Sequence, residues 1–207
     1  GAGTVINVTV QFSETVLVTG TPLLELELGT TDRNASYIAG NNSNTLTFNY
    51  TVQSGDTSSD LNNTGTGALA LNSGTILDAA SNAATLTLPA GGLAENKALV
   101  IDSTAPTVSL INSTKTDGTY GAGTVINVTV TFTEAVLVTG TPVLELELGT
   151  TDRNASYIAG NNSDTLIFNY TVQSGDTSSD LNNTGTSALA LNSGTILDAA
   201  SNAATLT

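Results

Sequence analysis

Residues 5–12 read Val-Ile-Asn-Val-Thr-Val-Gln-Phe, an alternation of apolar and polar side chains with a period of two. Successive side chains of a β-strand point to opposite faces, so this stretch predicts a strand with one buried and one solvent-facing side. The predicted buried side carries Ile6, Val8, Val10 and Phe12, and the solvent-facing side carries Asn7, Thr9 and Gln11.

The same alternation recurs along the chain, and no stripe with helical period accompanies it. Strands are predicted over residues 5–12, 23–28, 36–39, 45–52, 68–77, 84–88, 97–101 and 107–112. Clusters of Gly, Pro, Asn and Ser separate these segments and mark turns. Seven or eight short antiparallel strands in about 100 residues are typical of a two-sheet sandwich, so the predicted class is all-β.

The chain repeats itself with an offset of 120 residues, so residues 1–87 pair with residues 121–207. Only seven of these 87 pairs differ, and 80 are identical. The differing pairs are Gln11/Thr131, Ser13/Thr133, Thr15/Ala135, Leu23/Val143, Asn44/Asp164, Thr47/Ile167 and Gly67/Ser187. Positions 11, 23 and 47 are predicted on outward faces and positions 13, 15, 44 and 67 in loops, so none is predicted to be buried.

A period of 120 residues is too long for a solenoid unit and matches one whole domain. The segment around Pro106 is predicted to join two domains, because proline fixes its own backbone and holds the preceding residue extended. The predicted domains are residues 1–104, lacking a first strand, and residues 105–207, lacking a last strand. We therefore expect the chain to be a window on a longer tandem array.

Composition excludes several classes of function. The chain has 18 acidic and four basic residues, a net charge of −14, and no Cys, Met, Trp or His. Such an acidic chain lacks the basic surface that nucleic acids and anionic membranes require, and no apolar run approaches the ~20 residues of a membrane span. Without His, Cys or a nucleophile elbow no nucleophilic triad can form, so we predict no catalytic residues and no enzyme activity.

Four motifs, taken in order, are similar to the repeats of giant bacterial adhesins of the RTX type. They are Asp-Ser-Thr-Ala-Pro at 102–106, Asp-Gly-Thr-Tyr-Gly-Ala-Gly at 117–123, Val-Thr-Phe-Thr-Glu-Ala-Val at 130–136, and Gly-Thr-Ile-Leu-Asp-Ala-Ala-Ser-Asn at 74–82. In the last motif Ser81 stands where that family has Gly. The resemblance implies immunoglobulin-like Greek-key sandwiches in an extracellular, surface-tethered or secreted chain, often stiffened by Ca²⁺ between domains. The uncharged Thr, Ser, Asn and Gly surface favours the same location.

Acidic residues in the predicted loops are the candidate metal ligands, since Ca²⁺ takes six to eight oxygen ligands. With immunoglobulin-like strand order, Asp56, Asp60, Asp102, Glu134 and Asp198 are expected to converge on the joint between the domains. Glu14 and Asp78 are the matching pair for a preceding joint, and Asp176 and Asp180 for a following one. The alternative is that these carboxylates cap turns and stay solvated.

Glu25 and Glu27 lie two residues apart on one predicted strand face, ~7 Å along the strand, a spacing compatible with a glycosidase pair. A catalytic pair also needs a cleft that raises one pKa, and an open sheet face favours solvated carboxylates instead. Six glycosylation sequons occur in the first 120 residues, and five of them recur. They start at Asn7, Asn34, Asn41, Asn49, Asn62, Asn112, Asn127, Asn154, Asn161, Asn169 and Asn182. A surface rich in Asn and Thr also generates sequons incidentally.

Three functions agree with these observations. The first is a stiff structural spacer in the stalk of an adhesin, whose partners are neighbouring repeats of the same chain. The second is a repeat that associates laterally into an extracellular filament, sheath or surface layer. The third is a carbohydrate-binding module, which requires an aromatic or carboxylate-rich groove.

Overall fold

The computed structural model describes residues 1–207 and is all-β, with 17 strands in sandwich-like sheets, as the alternating pattern predicts. It contains no helix that could cross a membrane. The chain divides into two compact units, Gly1–Thr104 and Ala105–Thr207.

The first unit contains nine strands, and a central run of four antiparallel strands carries most of its pairing. The strands are β1 (Val5–Thr19), β2 (Leu23–Glu27), β3 (Arg33–Ala39), β4 (Ser43–Thr51), β5 (Thr57–Ser58), β6 (Asn62–Asn63), β7 (Leu69–Ala70), β8 (Thr75–Leu77) and β9 (Ile101–Asp102). The sheet order is β6-β2-β3-β4-β1-β8, with β7 also paired to β2 and β5 paired to β9.

Strand β1 extends well beyond its predicted end at residue 12. Its first half pairs with β4 from Val5↔Thr51 to Gln11↔Thr45, and its last residues pair with β8 at Leu17–Thr19. The register shifts between Gln11 and Val16, which lets one strand serve two sheets. Positions 13 and 15 therefore lie in a strand and not in a loop, because the irregularity hides the two-residue period there.

The predicted buried faces form the core of the first unit. Leu24, Leu26, Leu46, Phe48 and Tyr50 are 3% exposed or less, while the intervening Glu25 and Glu27 are exposed. Ile6, Val10 and Phe12 pack against this core but stay half-buried. The two-residue alternation thus assigns the correct face to each strand.

The second unit repeats this architecture and adds a strand at its start. Its strands are β10 (Val108–Ser113), β11 (Val125–Thr139), β12 (Val143–Glu147), β13 (Arg153–Ala159), β14 (Ser163–Thr171), β15 (Asn182–Asn183), β16 (Leu189–Ala190) and β17 (Thr195–Leu197). The order is β10-β11-β14-β13-β12-β15, with β16 on β12 and β17 on β11. None of the 14 residues at the seven differing positions is buried, as predicted.

Several strand predictions fail in their details. Of the predicted segment 97–101 only Ile101 lies in a strand, β9, and position 44, predicted in a loop, lies in β4. Residues 84–88 form no strand, although Ala83 makes an isolated bridge to Leu77. Residues 68–77 split into β7 and β8, because Asn72 and Ser73 adopt positive φ angles of 48° and 64° in a turn. The short strands β5 and β6 were not predicted, since two-residue strands carry no detectable periodicity.

Ser81 and Ser201 adopt left-handed backbone conformations, with φ angles of 71° and 68°. The turn therefore holds a non-glycine residue in a left-handed backbone in both units. L-residues are strained there and glycine is not.

We expect Ser81→Gly to raise the free energy of unfolding of the first unit by about 0.5 kcal/mol, because relief of strain exceeds the extra entropy of glycine in the unfolded chain. Urea unfolding measures the change. Ser59→Gly is the matched control, since Ser59 is also exposed but has no positive φ. Equal destabilisation by both substitutions would contradict the assignment of strain to position 81.

Candidate functional site

Glu134 and Asp198 are the pair of predicted ligands that the second unit brings together. Their carboxylate oxygens lie within 4.8 Å of each other. Glu134 lies on β11 and is half-buried, whereas Asp198 directly follows β17 and is only 2% exposed. Two carboxylates this close repel each other when both are ionised, so the pair is the strongest candidate for cation binding in this unit.

Asp198 is held in place by a tight turn. Its Oδ1 accepts a hydrogen bond from the Asn202 N–H at 2.7 Å, and its Oδ2 accepts one from Asn202 Nδ2 at 2.6 Å. Asp78 makes the same contacts with Asn82 and also accepts from the Ala80 N–H. The Asn82 side chain is the main cause of a lowered pKa of Asp78. The turn thus fixes the position of a carboxylate group in both units.

Other predicted ligands make local hydrogen bonds within their own unit or are exposed. Asp60 is exposed and accepts from the Leu99 N–H at 3.2 Å. Asp102, in β9, accepts from the Thr104 N–H at 2.9 Å. Glu14 and Asp180 are exposed on their respective units.

Asp56 is the centre of a buried polar network in the first unit. It is 1% exposed, and its Oδ1 lies 2.9 Å from both Nε and Nη2 of Arg33. Its Oδ2 accepts hydrogen bonds from the Tyr50 hydroxyl and, at 2.8 Å, from the Gln53 N–H. Both oxygens therefore have protein partners, and the network ties β3 and β4 to the loop before β5.

The electrostatics of this network favour an ionised Asp56. Burial alone would raise its pKa, but the hydrogen bonds from Tyr50, Gln53 and Arg33 outweigh burial and lower the pKa below its usual value. Burial and the neighbouring carboxylate together raise the pKa of Tyr50, so the phenol stays protonated and donates. A fully paired buried carboxylate of this kind is a structural element.

The second unit has the same network, built from Arg153, Tyr170 and Asp176. Arg153 Nη2 lies 3.0 Å from Asp176 Oδ1, and the Tyr170 hydroxyl donates to Oδ2 at 2.5 Å. The hydrogen bond from Tyr170 is the main cause of a lowered pKa of Asp176, and burial raises the pKa of Tyr170 to about 12. The sequence analysis did not predict either network. The one signal in the sequence is that the chain has only two arginines, and each belongs to one of the networks.

Glu25 and Glu27 are both exposed on β2, as predicted for solvated carboxylates. Glu25 Oε2 accepts a hydrogen bond from the Thr64 hydroxyl at 2.8 Å, and Glu145 does the same with Thr184 in the second unit. These contacts tie the loop after β6 to β2.

An open cleft of about 630 Å³ lies in the second unit beside Tyr170 and Asp176 and is lined further by residues 177–181. The equivalent positions of the first unit are covered by its own chain. There β9 pairs with β5, Ile101 is 5% exposed, and Ser103 Oγ donates to the Asp56 carbonyl oxygen. The cleft therefore lies where the first unit has β9 paired with β5.

The sequon asparagines differ in their accessibility. Asn34, Asn41, Asn112, Asn154, Asn161 and Asn182 are exposed, and Asn7 is exposed as well. Asn49 and Asn169 are half-buried and donate to the side chains of Asn7 and Asn127 across the sheet. Asn62 is half-buried, and its side chain binds the backbone of residues 91–94. Asn62 has a structural role in the first unit.

The polar side chains of both units form networks that hold strands and turns together, and Glu134 and Asp198 form a close carboxylate pair within the second unit. The ring pairs Tyr37–Phe48 and Tyr157–Phe168 belong to the packed sheets, whereas Tyr120 and Tyr170 both line the open cleft of the second unit. Comparison of the chain with family models, with curated proteins and with solved structures gave no match.

Proposed function

We propose that this chain is a structural part of a long extracellular surface protein, in which tandem immunoglobulin-like sandwiches act as a stiff spacer for a binding domain. The observation that carries the proposal is the duplication of a complete architecture, down to its buried network, in two units with nearly the same sequence. Repetition of an intact fold increases length and adds no new chemistry.

Strand order supports the immunoglobulin-like assignment. The consecutive strands β2, β3 and β4 lie side by side, and β4 then pairs with β1, which precedes them in the chain. In a Greek key, three consecutive strands lie side by side, and a fourth strand that is connected to one end of the run lies beside its other end. Sandwiches of this family combine such a key with strands shared between two sheets, as β1 is shared here.

A spacer under tension needs units that unfold separately and cooperatively. We expect the chain, pulled from its two ends in an optical trap, to extend in two abrupt steps. Each unit spans just over 100 residues, so each step should release roughly 350 Å of contour at about 3.4 Å per residue. Gradual extension at low force, or one step of twice the length, would reject independent load-bearing units.

Calcium binding by Glu134 and Asp198 is proposed as a second property of this spacer. Ca²⁺ prefers oxygen ligands, and a cation would offset the repulsion between two carboxylates within 4.8 Å, one of them buried. Backbone carbonyls, water or a further carboxylate would supply the remaining ligands. The cation would tie β11 to the turn after β17.

We expect calcium at a hundredfold excess over its Kd to stabilise the second unit by about 2.7 kcal/mol relative to excess chelator. Thermal unfolding with and without calcium measures this difference. Glu134→Gln should abolish it, whereas Glu145→Gln should preserve it, because Glu145 is exposed and contacts Thr184 instead. An equal calcium effect in both variants would contradict a site at Glu134.

A further inference from the structure

The four basic side chains of the protein fall into two structural classes. Arg33 and Arg153 are ion-paired, since Nη2 of each lies 2.9 or 3.0 Å from the aspartate of the buried network in its own unit. Lys97 and Lys115 are exposed and belong to no strand. A protease that cuts after basic residues therefore meets two very different kinds of peptide bond in this chain.

The two arginines are protected by the sheets in which they lie. A trypsin-like protease binds a basic side chain in a pocket that carries a carboxylate, and it needs the flanking backbone extended and unpaired. Arg33 and Arg153 each start a strand and pair across the sheet with Leu26 and Leu146, respectively. The second residue after each arginine is an alanine that is 0% exposed. Cleavage after either arginine therefore requires the sheet to open.

Lys115 lies in the loop that follows β10, where residues 114–119 are all exposed and outside any strand. Its ammonium group lies 5.1 Å from the centre of the Tyr120 ring, and its N–H donates to the Ser113 hydroxyl at 3.1 Å. The Tyr120 hydroxyl donates to the Thr116 carbonyl oxygen in the same loop. Because these contacts are local to an exposed loop, Lys115 can enter a protease pocket while the strands stay paired.

Lys97 lies in the segment that leads into β9, and residues 95–98 are exposed. Leu99 follows two residues later and is half-buried. Its N–H donates to Asp60 at 3.2 Å, and its carbonyl oxygen accepts from the Leu61 N–H at 2.7 Å. A protease has to free Leu99 before the backbone after Lys97 can extend into its cleft, so cleavage after Lys97 should be slower than cleavage after Lys115.

We propose that Lys97 and Lys115 are the two sites at which trypsin-like proteases cut this chain in its folded state, and that Lys115 is cut first. In that step water adds across the peptide bond between Lys115 and Thr116. The C–N bond breaks, the hydroxyl of water stays on Lys115 as part of a new carboxyl group, and its proton goes to the new amino group of Thr116. The inference rests on the placement of the four basic side chains and does not depend on the spacer function.

The first cut breaks the chain but leaves the two fragments joined through β10. Strand β10 stays on the fragment 1–115, whereas its partner β11 belongs to the fragment 116–207. The two strands pair antiparallel along Val108–Ser113, and the side chains of Val108 and Ile111 pack against the core of the second unit. The cut chain should therefore stay together in native buffer and separate only in denaturant.

Limited digestion of the intact 207-residue chain with trypsin, followed by mass spectrometry, tests the assignment. Synthetic peptides that span the four bonds give the cleavage rate of each bond in an unfolded state. Relative to its peptide, the bond after Lys115 should be cut at least about a hundredfold faster than the bonds after Arg33 and Arg153, because those require the open state. Equal protection of lysine and arginine bonds, or a first cut at an arginine, would overturn the proposal.

Two single variants separate the sites and serve as controls for each other. Lys115→Gln should remove the first cut and keep the slower one, whereas Lys97→Gln should do the reverse. The double variant should survive at least about tenfold longer than Lys115→Gln, and circular dichroism establishes that each variant is folded. Size-exclusion chromatography of the cut natural chain should give one peak in native buffer and two in denaturant. Rapid loss of the folded double variant, or separation of the fragments in native buffer, would contradict the inference.

Discussion

Replacing Phe48 with Ala is expected to lower the free energy of unfolding of the first unit by about 3–5 kcal/mol. Phe48 is 0% exposed and lies between Val8 and Tyr37 on the neighbouring strands. Its ring contacts that of Tyr37 edge-on, with 6.1 Å between centroids. Truncation removes the ring from the core and leaves a cavity that the flanking strands cannot fill without losing their own pairing.

Urea unfolding followed by hydrogen exchange and mass spectrometry resolves the effect unit by unit. Peptides that contain Leu23 or Val143 differ in mass and therefore report on the first and the second unit separately. The second unit keeps Phe168 and should be unchanged. Thr47→Ile is the control, since it installs the residue found at position 167 and should change the stability by no more than about 0.5 kcal/mol.

A loss below about 1 kcal/mol in the Phe48→Ala variant would mean that the core of the first unit is loosely packed. Equal losses in both units would instead show that they unfold as one cooperative body.

Replacing Asp56 with Ala is expected to destabilise the first unit by about 3 kcal/mol. Removing one partner of a buried ion pair leaves the others without compensation, at a cost of about 3–5 kcal/mol. The lower end applies because the Arg33 side chain is 27% exposed and can regain water. The Tyr50 hydroxyl and the Gln53 N–H lose their acceptor as well.

Asp60→Ala is the matched control for the Asp56 substitution. Asp60 belongs to the same loop but is exposed, and its one side-chain hydrogen bond is to the Leu99 N–H. We expect a change of no more than about 0.5 kcal/mol in urea unfolding. Equal changes in the free energy of unfolding would show that the buried network of Asp56 stabilises the first unit no more than an exposed carboxylate does.

The same network makes the stability of the first unit depend on pH in a defined direction. The folded pKa of Asp56 lies below the ordinary aspartate value of 3.8, so Asp56 adds stability above that pH. This contribution falls as the pH drops through the folded pKa. Asp56→Asn should therefore flatten the loss of stability that occurs as the pH falls below about 4. An unchanged pH profile would contradict an ionised, paired Asp56.

Much of the fold was predictable from short-range pattern. The alternation in residues 5–12, 23–28 and 45–52 requires no knowledge of the partner strands, because side chains of a strand alternate whatever it pairs with. The internal repeat adds independent support, since none of the differing positions, such as Thr47 and Ile167, is buried.

Other features depend on residues far apart in the chain. The pairing of β5 with β9 joins Thr57 to Asp102, and two-residue strands have no period to detect. The network of Arg33, Tyr50 and Asp56 likewise arises only when β3 and β4 lie side by side, so nothing local distinguishes Asp56 from a solvated loop acid such as Asp60.

The sequence by itself determined the all-β class, the buried face of each main strand and the repetition of the architecture, because these follow from side-chain alternation and from self-comparison. Only the tertiary structure decided which acids are paired. Asp56 is neutralised by Arg33, and Asp198 approaches Glu134. Burial and pairing are properties of the assembled sheets, since they depend on neighbours that local sequence does not specify.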